Sequence, residues 1–327
     1  MKRRARRRSR LRLAAIAVIV LVAAAEFAVR VLSLAPAVGP SLTEWDARYG
    51  KRLKRSLDCE LITPRFRMRI TTNAAGRRGP LQRPGAPVVA VFGDEATLGY
   101  GVDDGLEYPR VLEAELRAQG RDVDVIAFAM PDDANGRTLL RLRDELPALA
   151  PRAVVLQIGG DDFRDNVREA LFAVDDAGTL VASPIPSRGI ARALQGLVEA
   201  IPFAAESHLV ALIRSALAAR DDGVDAPPPQ IPESRPRALD ADRLTLALID
   251  AALELCAGSR TPAIVVAAGI EREHERDALA ALCGRRGVPL IELPSRASSP
   301  GHYLAATPWL SAVGHRDAAA RIAAALR

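Results

Sequence analysis

Cysteine and histidine are scarce in this chain of 327 residues: Cys59, Cys256 and Cys283, and His208, His274, His302 and His315. No Cys-x-x-Cys pair is present, and the histidines share no metal-ligand spacing, so neither a metal nor another cofactor is expected. In an exported chain, a Cys256–Cys283 bridge and two free buried thiols are both compatible with the sequence. Aromatic residues make up only 4% of the chain, and none interleave with basic residues in a patch that would track a phosphate backbone. Nucleic acid is therefore excluded as the partner. The formal charge of +5 reflects one place: Lys2, Arg3, Arg4, Arg6, Arg7, Arg8, Arg10 and Arg12 precede a remainder that is mildly acidic. At 49% hydrophobic residues, the chain has enough apolar material for a substantial core.

The basic end, residues 1–12, runs directly into 13–25, which has no polar side chain, and the apolar pattern continues past Glu26 and Arg30 to residue 34. Two readings follow. Ala23-Ala24-Ala25 has the small residues of a signal cleavage site. Alternatively, residues 13–34 match the roughly 20 needed for a helix to cross a bilayer, and such a basic flank stays in the cytoplasm. The span length favours the retained anchor, with Glu26 and Arg30 paired at i,i+4 near the membrane boundary. That reading places the chain in a bacterial inner membrane as a single-pass protein, with its main domain in the periplasm or extracellular space.

Residues 35–70 read as a juxtamembrane connector, and 71–327 as the main domain. Within it, short apolar runs at 87–92, 123–129, 153–158, 263–268 and 289–292 read as buried strands. Helical periodicity occupies 108–119, 135–146 (stopped by Pro147), 240–257, 271–285 and 310–326. Alternating strands and helices predict a parallel sheet covered on both faces. An insertion at about 165–238 interrupts the alternation, with helical stretches near 190–200 and 206–220 and a Pro-rich tip at 226–232 that cannot continue a helix. No internal repeat is present.

In open parallel sheets, ligands bind beyond the carboxyl ends of the strands. Three such ends carry Gly93-Asp94-Glu95, Met130-Pro131-Asp132 and Gly159-Gly160-Asp161-Asp162. With Asn73-Ala74-Ala75-Gly76-Arg77-Arg78-Gly79, Gly99-Tyr100-Gly101-Val102, Tyr108-Pro109 and the C-terminal Trp309 to Arg316, the set resembles the SGNH/GDSL hydrolase family, in its bacterial, N-terminally anchored form. The resemblance implies a three-layer α/β/α, flavodoxin-like fold with about five parallel strands, and an esterase or acylhydrolase ancestry.

Carried across position by position, the resemblance puts Glu95 at the nucleophilic serine, Ala129 at the oxyanion glycine, Asp161 at the oxyanion asparagine, Thr307 at the aspartate and Trp309 at the histidine. A tryptophan indole offers only an N–H donor and cannot serve as the base. An ionised Asp161 repels a developing oxyanion, and losing one oxyanion donor typically costs roughly a hundredfold to a thousandfold in rate. Asp94 and Asp162 match scaffold positions.

Three expectations stay open. The first is a catalytically degenerate binding or scaffold component of the cell envelope, with a glycan or acyl ligand or an envelope protein as partner. The second is an ester hydrolase or glycan deacetylase with a site rebuilt from Thr97 and His315 or His302. The third is a carboxylate-based or metal-dependent enzyme using Glu95 and Asp161.

Overall fold

The computed structural model describes residues 2–175, 177–185, 201, 204–221, 238–305 and 307–326. The expected helix at 190–200 and the Pro-rich tip at 226–232 lie outside the described residues.

Five strands form the central sheet: β1 (Val88–Gly93), β2 (Asp124–Ala129), β3 (Ala153–Gly159), β4 (Ala263–Ala268) and β5 (Leu290–Glu292). Their spatial order is β2-β1-β3-β4-β5, and every pairing is parallel. The first three strands are buried along their whole length, which is why each reads as an apolar run without alternation. Alternation returns when the two faces are separated. Ala90, Phe92, Leu156 and Val265 point to one layer with Leu139, Leu142, Leu248 and Leu282. Val89, Val91, Val155 and Val266 point to the other with Leu112, Leu116, Ala319 and Ile322. The result is the expected three-layer α/β/α arrangement.

Among the described residues the α-helices, numbered along the chain, are α1 (Lys2–Val31), α2 (Glu95–Leu98), α3 (Tyr108–Ala118), α4 (Asn135–Leu149), α5 (Asp162–Glu169), α6 (His208–Asp221), α7 (Ala238–Gly258), α8 (Glu273–Arg286) and α9 (Ala312–Ala325). Pro147 does not stop α4, which runs on to Leu149 and closes on Ala150 in the left-handed conformation, φ 40°. So close to the end, the hydrogen bond that proline forgoes is one of few remaining. Cys256 and Cys283 lie in the same buried cluster as free thiols, so the bridge considered from the sequence is not formed.

By contacts, the chain divides into two units. The larger comprises 42–60, 67–188 and 226–327 and contains the sheet; the smaller comprises 1–41, 61–66 and 189–225. Within the larger, Thr43–Asp46 pairs antiparallel with Gly50–Leu53, and the short strands Phe172–Val174 and Leu180–Ala182 form a second hairpin. In the smaller, α1 contains a 22-residue stretch, Arg10–Val31, long and apolar enough to cross a membrane.

Candidate functional site

Backbone geometry at the end of β1 explains the Gly-Asp-Glu segment. A Cβ on Gly93 would fall 2.2 Å from Thr97 Oγ1 and 2.4 Å from Gln157 Oε1, so only glycine fits. The Asp94 carboxylate then caps α2, accepting from Ala96 N at 2.7 Å. Its other oxygen accepts from Gln157 Nε2 at 3.1 Å, while Asp94 N donates to Gln157 Oε1 at 3.0 Å. Glu95 is thereby set in the first turn of α2, half-buried, where its Oε1 accepts from Asp132 N at 2.6 Å.

The loop carrying Asp132 is gripped from a distant part of the chain. Lys51 Nζ donates to Pro131 O at 2.7 Å and to Asp132 O at 2.8 Å. Burial, then the nearby Arg137, hold the Lys51 ammonium below its ordinary pKa. Asp132 itself sits at φ +50°. Nothing in the sequence signals this clamp, because the partners are main-chain atoms some eighty residues away.

At the end of β3, Gly159 leaves a hole between two carboxyls. A Cβ there would lie 2.5 Å from Asp94 Oδ2 and 2.6 Å from Asp161 Oδ1. Gly160 is as tightly constrained, since its Cβ would lie 2.4 Å from Gly269 O at the end of β4. Asp162 behaves as the scaffold residue expected, accepting from Gly159 N at 2.7 Å and from Asn135 Nδ2 at 3.3 Å.

These acids crowd one another. Burial and the neighbouring Asp161 push the Asp94 carboxyl up to about 7. Burial raises Glu95 well above the carboxylate range, with the Asp94 charge adding and the Asp132 amide opposing. Asp161 is raised by burial and by Asp165 and Asp132, with Arg164 opposing. Asp162 is raised well above its ordinary value by burial and by Asp94. At neutral pH this end of the sheet therefore holds protons that isolated carboxylates would release.

Glu95, Asp161 and Trp309 converge on one open cleft of about 660 Å³. The Trp309 ring meets Tyr100 edge-on, centroids 4.9 Å apart. Ala129 and Thr307 do not join them. Ala129 faces an enclosed cavity of about 10 Å³ beside Arg78 and Glu107, and Thr307 is buried, its hydroxyl donating to Leu304 O at 3.0 Å.

The residues considered for a rebuilt triad are engaged elsewhere. Thr97 is fully buried, 2.7 Å from the Tyr108 hydroxyl and 3.0 Å from Gln157 Oε1. His315 is fully buried too: its Nδ1 accepts from Tyr108 N at 3.2 Å, Nε2 has no hydrogen-bond partner among the described residues, and burial holds its pKa down to about 3. His302 faces Asp317 at 3.7 Å. Among the described residues, Asp242, His274 and Glu275 could hold a metal ion, their ligand atoms lying within 4.8 Å of one another. Histidine spacing did not reveal this group, because Asp242 comes from α7 and the other two from α8. Arg272 already sits 3.0 Å from Glu275 and supplies the positive charge a cation would bring.

Residues 91–316 match the GDSL-like lipase/acylhydrolase family, and the chain belongs to that family. Its fold is similar to several solved structures, at low identity. TesA is 12% identical with a TM-score of 0.45, over 73% of this chain and 98% of that one. The acetyl xylan esterase AlAXEase is 13% identical with a TM-score of 0.43, over 73% and 100%. A lipase/acylhydrolase from Enterococcus faecalis is 16% identical with a TM-score of 0.41, over 73% and 95%. No curated protein matches the chain.

Proposed function

We propose that this chain is an exported, membrane-anchored member of the family in which the cleft binds a ligand, glycan or acyl, without hydrolysing an ester. The supporting observation is the setting of Glu95: its carboxyl, which the resemblance puts at the nucleophile's position, is held by the Asp132 amide in the loop after β2. The resemblance puts Trp309 at the position of the base, and the alternatives considered, Thr97 and His315, are sealed in the interior. The cleft nevertheless stays open, as a binding site requires and a collapsed remnant does not. The test is turnover of p-nitrophenyl acetate, p-nitrophenyl hexanoate and acetylated oligosaccharides by the full chain in detergent. No turnover above buffer is expected, and saturable turnover lost in Glu95→Gln defeats the reading.

A second reading is favoured by the crowding of Glu95, Asp94 and Asp161, whose raised proton affinities suit a carboxyl acid and base. It requires a glycoside- or ester-cleaving activity that Glu95→Gln and Asp161→Asn each abolish.

A further inference from the structure

An acidic residue near the outer end of an apolar span needs company, and Glu26 has it. Its carboxylate accepts from Arg30 Nε at 2.7 Å, the i,i+4 pair the sequence suggested, and from Ser207 Oγ at 2.8 Å, His208 N at 3.0 Å and Leu209 N at 2.8 Å. Three of the four donors come from the start of α6. Around them, Val29, Ala35, Val38 and Ala211 close a buried apolar contact. Gly39 N donates to Ala205 O at 3.0 Å, and an Arg214 guanidinium nitrogen donates to Gly39 O at 2.8 Å. The last turns of α1 thus carry a folded collar.

Its depth follows from the helix rise. The bilayer's hydrocarbon, about 30 Å thick, takes about 20 helical residues. With Arg10 and Arg12 at the inner headgroups, the outer hydrocarbon boundary falls near the end of the Arg10–Val31 stretch. Glu26 lies about 8 Å inside that boundary at 1.5 Å per residue. Whatever packs on Glu26 and Val29 lies at the same level. Exposed side chains agree in character: Phe27 and Val31 on the anchor, and Ile201 at 55% and Ile213 at 50% exposure on the collar.

We propose that the collar is a lipid-contacting element, with the start of α6 level with Glu26 just inside the outer hydrocarbon boundary and Ile201 and Ile213 among acyl chains. Glu26 is the group that fixes α6 to the anchor at that depth. The proposal rests on the anchored reading and is independent of the chemistry of the cleft.

The test places a nitroxide at Ile201→Cys, at Ile213→Cys and, as a solvent control, at the exposed Val313→Cys. The background is Cys59→Ser, which leaves only the buried Cys256 and Cys283. The full chain is reconstituted in phosphatidylcholine–phosphatidylglycerol vesicles, and spin relaxation is compared for oxygen, which enters lipid, and a water-soluble nickel chelate. The oxygen-to-nickel accessibility ratio is expected to be several-fold higher at 201 and 213 than at 313. Ratios equal to that at 313, in a chain that resists carbonate extraction, overturn the collar and leave the anchor standing. A chain released by carbonate overturns the anchor and the collar with it.

Discussion

Restoring the missing hydroxyl by Glu95→Ser should restore no esterase. In a serine hydrolase, loss of nucleophile or base alone costs about 10⁶ in kcat, close to 8 kcal/mol. A serine at 95 would supply the hydroxyl but still lack a base. His315, the imidazole considered as a replacement, is fully buried, spends Nδ1 on Tyr108 N at 3.2 Å, and is a weak base because burial holds its pKa down to about 3. The residual catalysis of a crippled triad, about 10³ to 10⁴ over water, comes from the oxyanion hole and binding. The resemblance puts Asp161 at the oxyanion asparagine, and that missing side-chain donor would remove about another 10² to 10³. Hydrolysis of p-nitrophenyl acetate by Glu95→Ser should thus be indistinguishable from buffer. Only a combination such as Glu95→Ser, Asp161→Asn, Thr307→Asp and Trp309→His should give turnover. Saturable, phosphonate-sensitive hydrolysis by Glu95→Ser alone would refute the reasoning, since it would demand that a group other than an imidazole serve as the base.

Protonation offers another handle: between pH about 4 and 7 the folded chain keeps a proton on Asp94 that the unfolded chain releases, so stability should fall as pH rises through that window. Asp94→Asn should remove up to about 4 kcal/mol of that slope in denaturant titrations run at pH 4 and pH 8; an unchanged slope contradicts the crowding of carboxyls. Gly159→Ala should destabilise by about 1–3 kcal/mol, because its methyl would press on Asp94 Oδ2 and Asp161 Oδ1, and an unaltered denaturation midpoint would show that the acids do not face each other there. Lys51→Met keeps the apolar stem and removes both grips on the 131–132 loop, so limited proteolysis should gain a cut near Asp132 and stability should drop by about 1–3 kcal/mol. A wild-type cleavage pattern and midpoint would remove Lys51 from its positioning role.

The central sheet was legible because its strands are buried on both faces, which writes them into the sequence as apolar runs: 263–268 is observed at those limits, and 153–158 is extended only by Gly159. Glu95 and Asp161, which line the cleft, each stand three residues past the end of such a run. The surroundings of the site were not. That Thr97, Tyr108, Gln157 and His315 form one buried network depends on packing between segments up to about two hundred residues apart. Both α5 and the hairpin after it were missed, because the insertion read from the sequence spans most of them and α5 is only eight residues long. Glu26 was correctly paired with Arg30, but periodicity on one helix could not disclose that another helix starts on the same carboxylate.

The grip of Lys51 also has a mechanical meaning. Lys51 lies on the second strand of the Thr43–Leu53 hairpin, ahead of every strand of the central sheet along the chain. From Lys51 the path to Glu95 is two contacts long, ammonium to the carbonyls at 131 and 132, then the Asp132 amide to the carboxylate. Strain in the hairpin therefore has a short route to the cleft, and detaching the hairpin would free the loop that holds the Glu95 carboxylate.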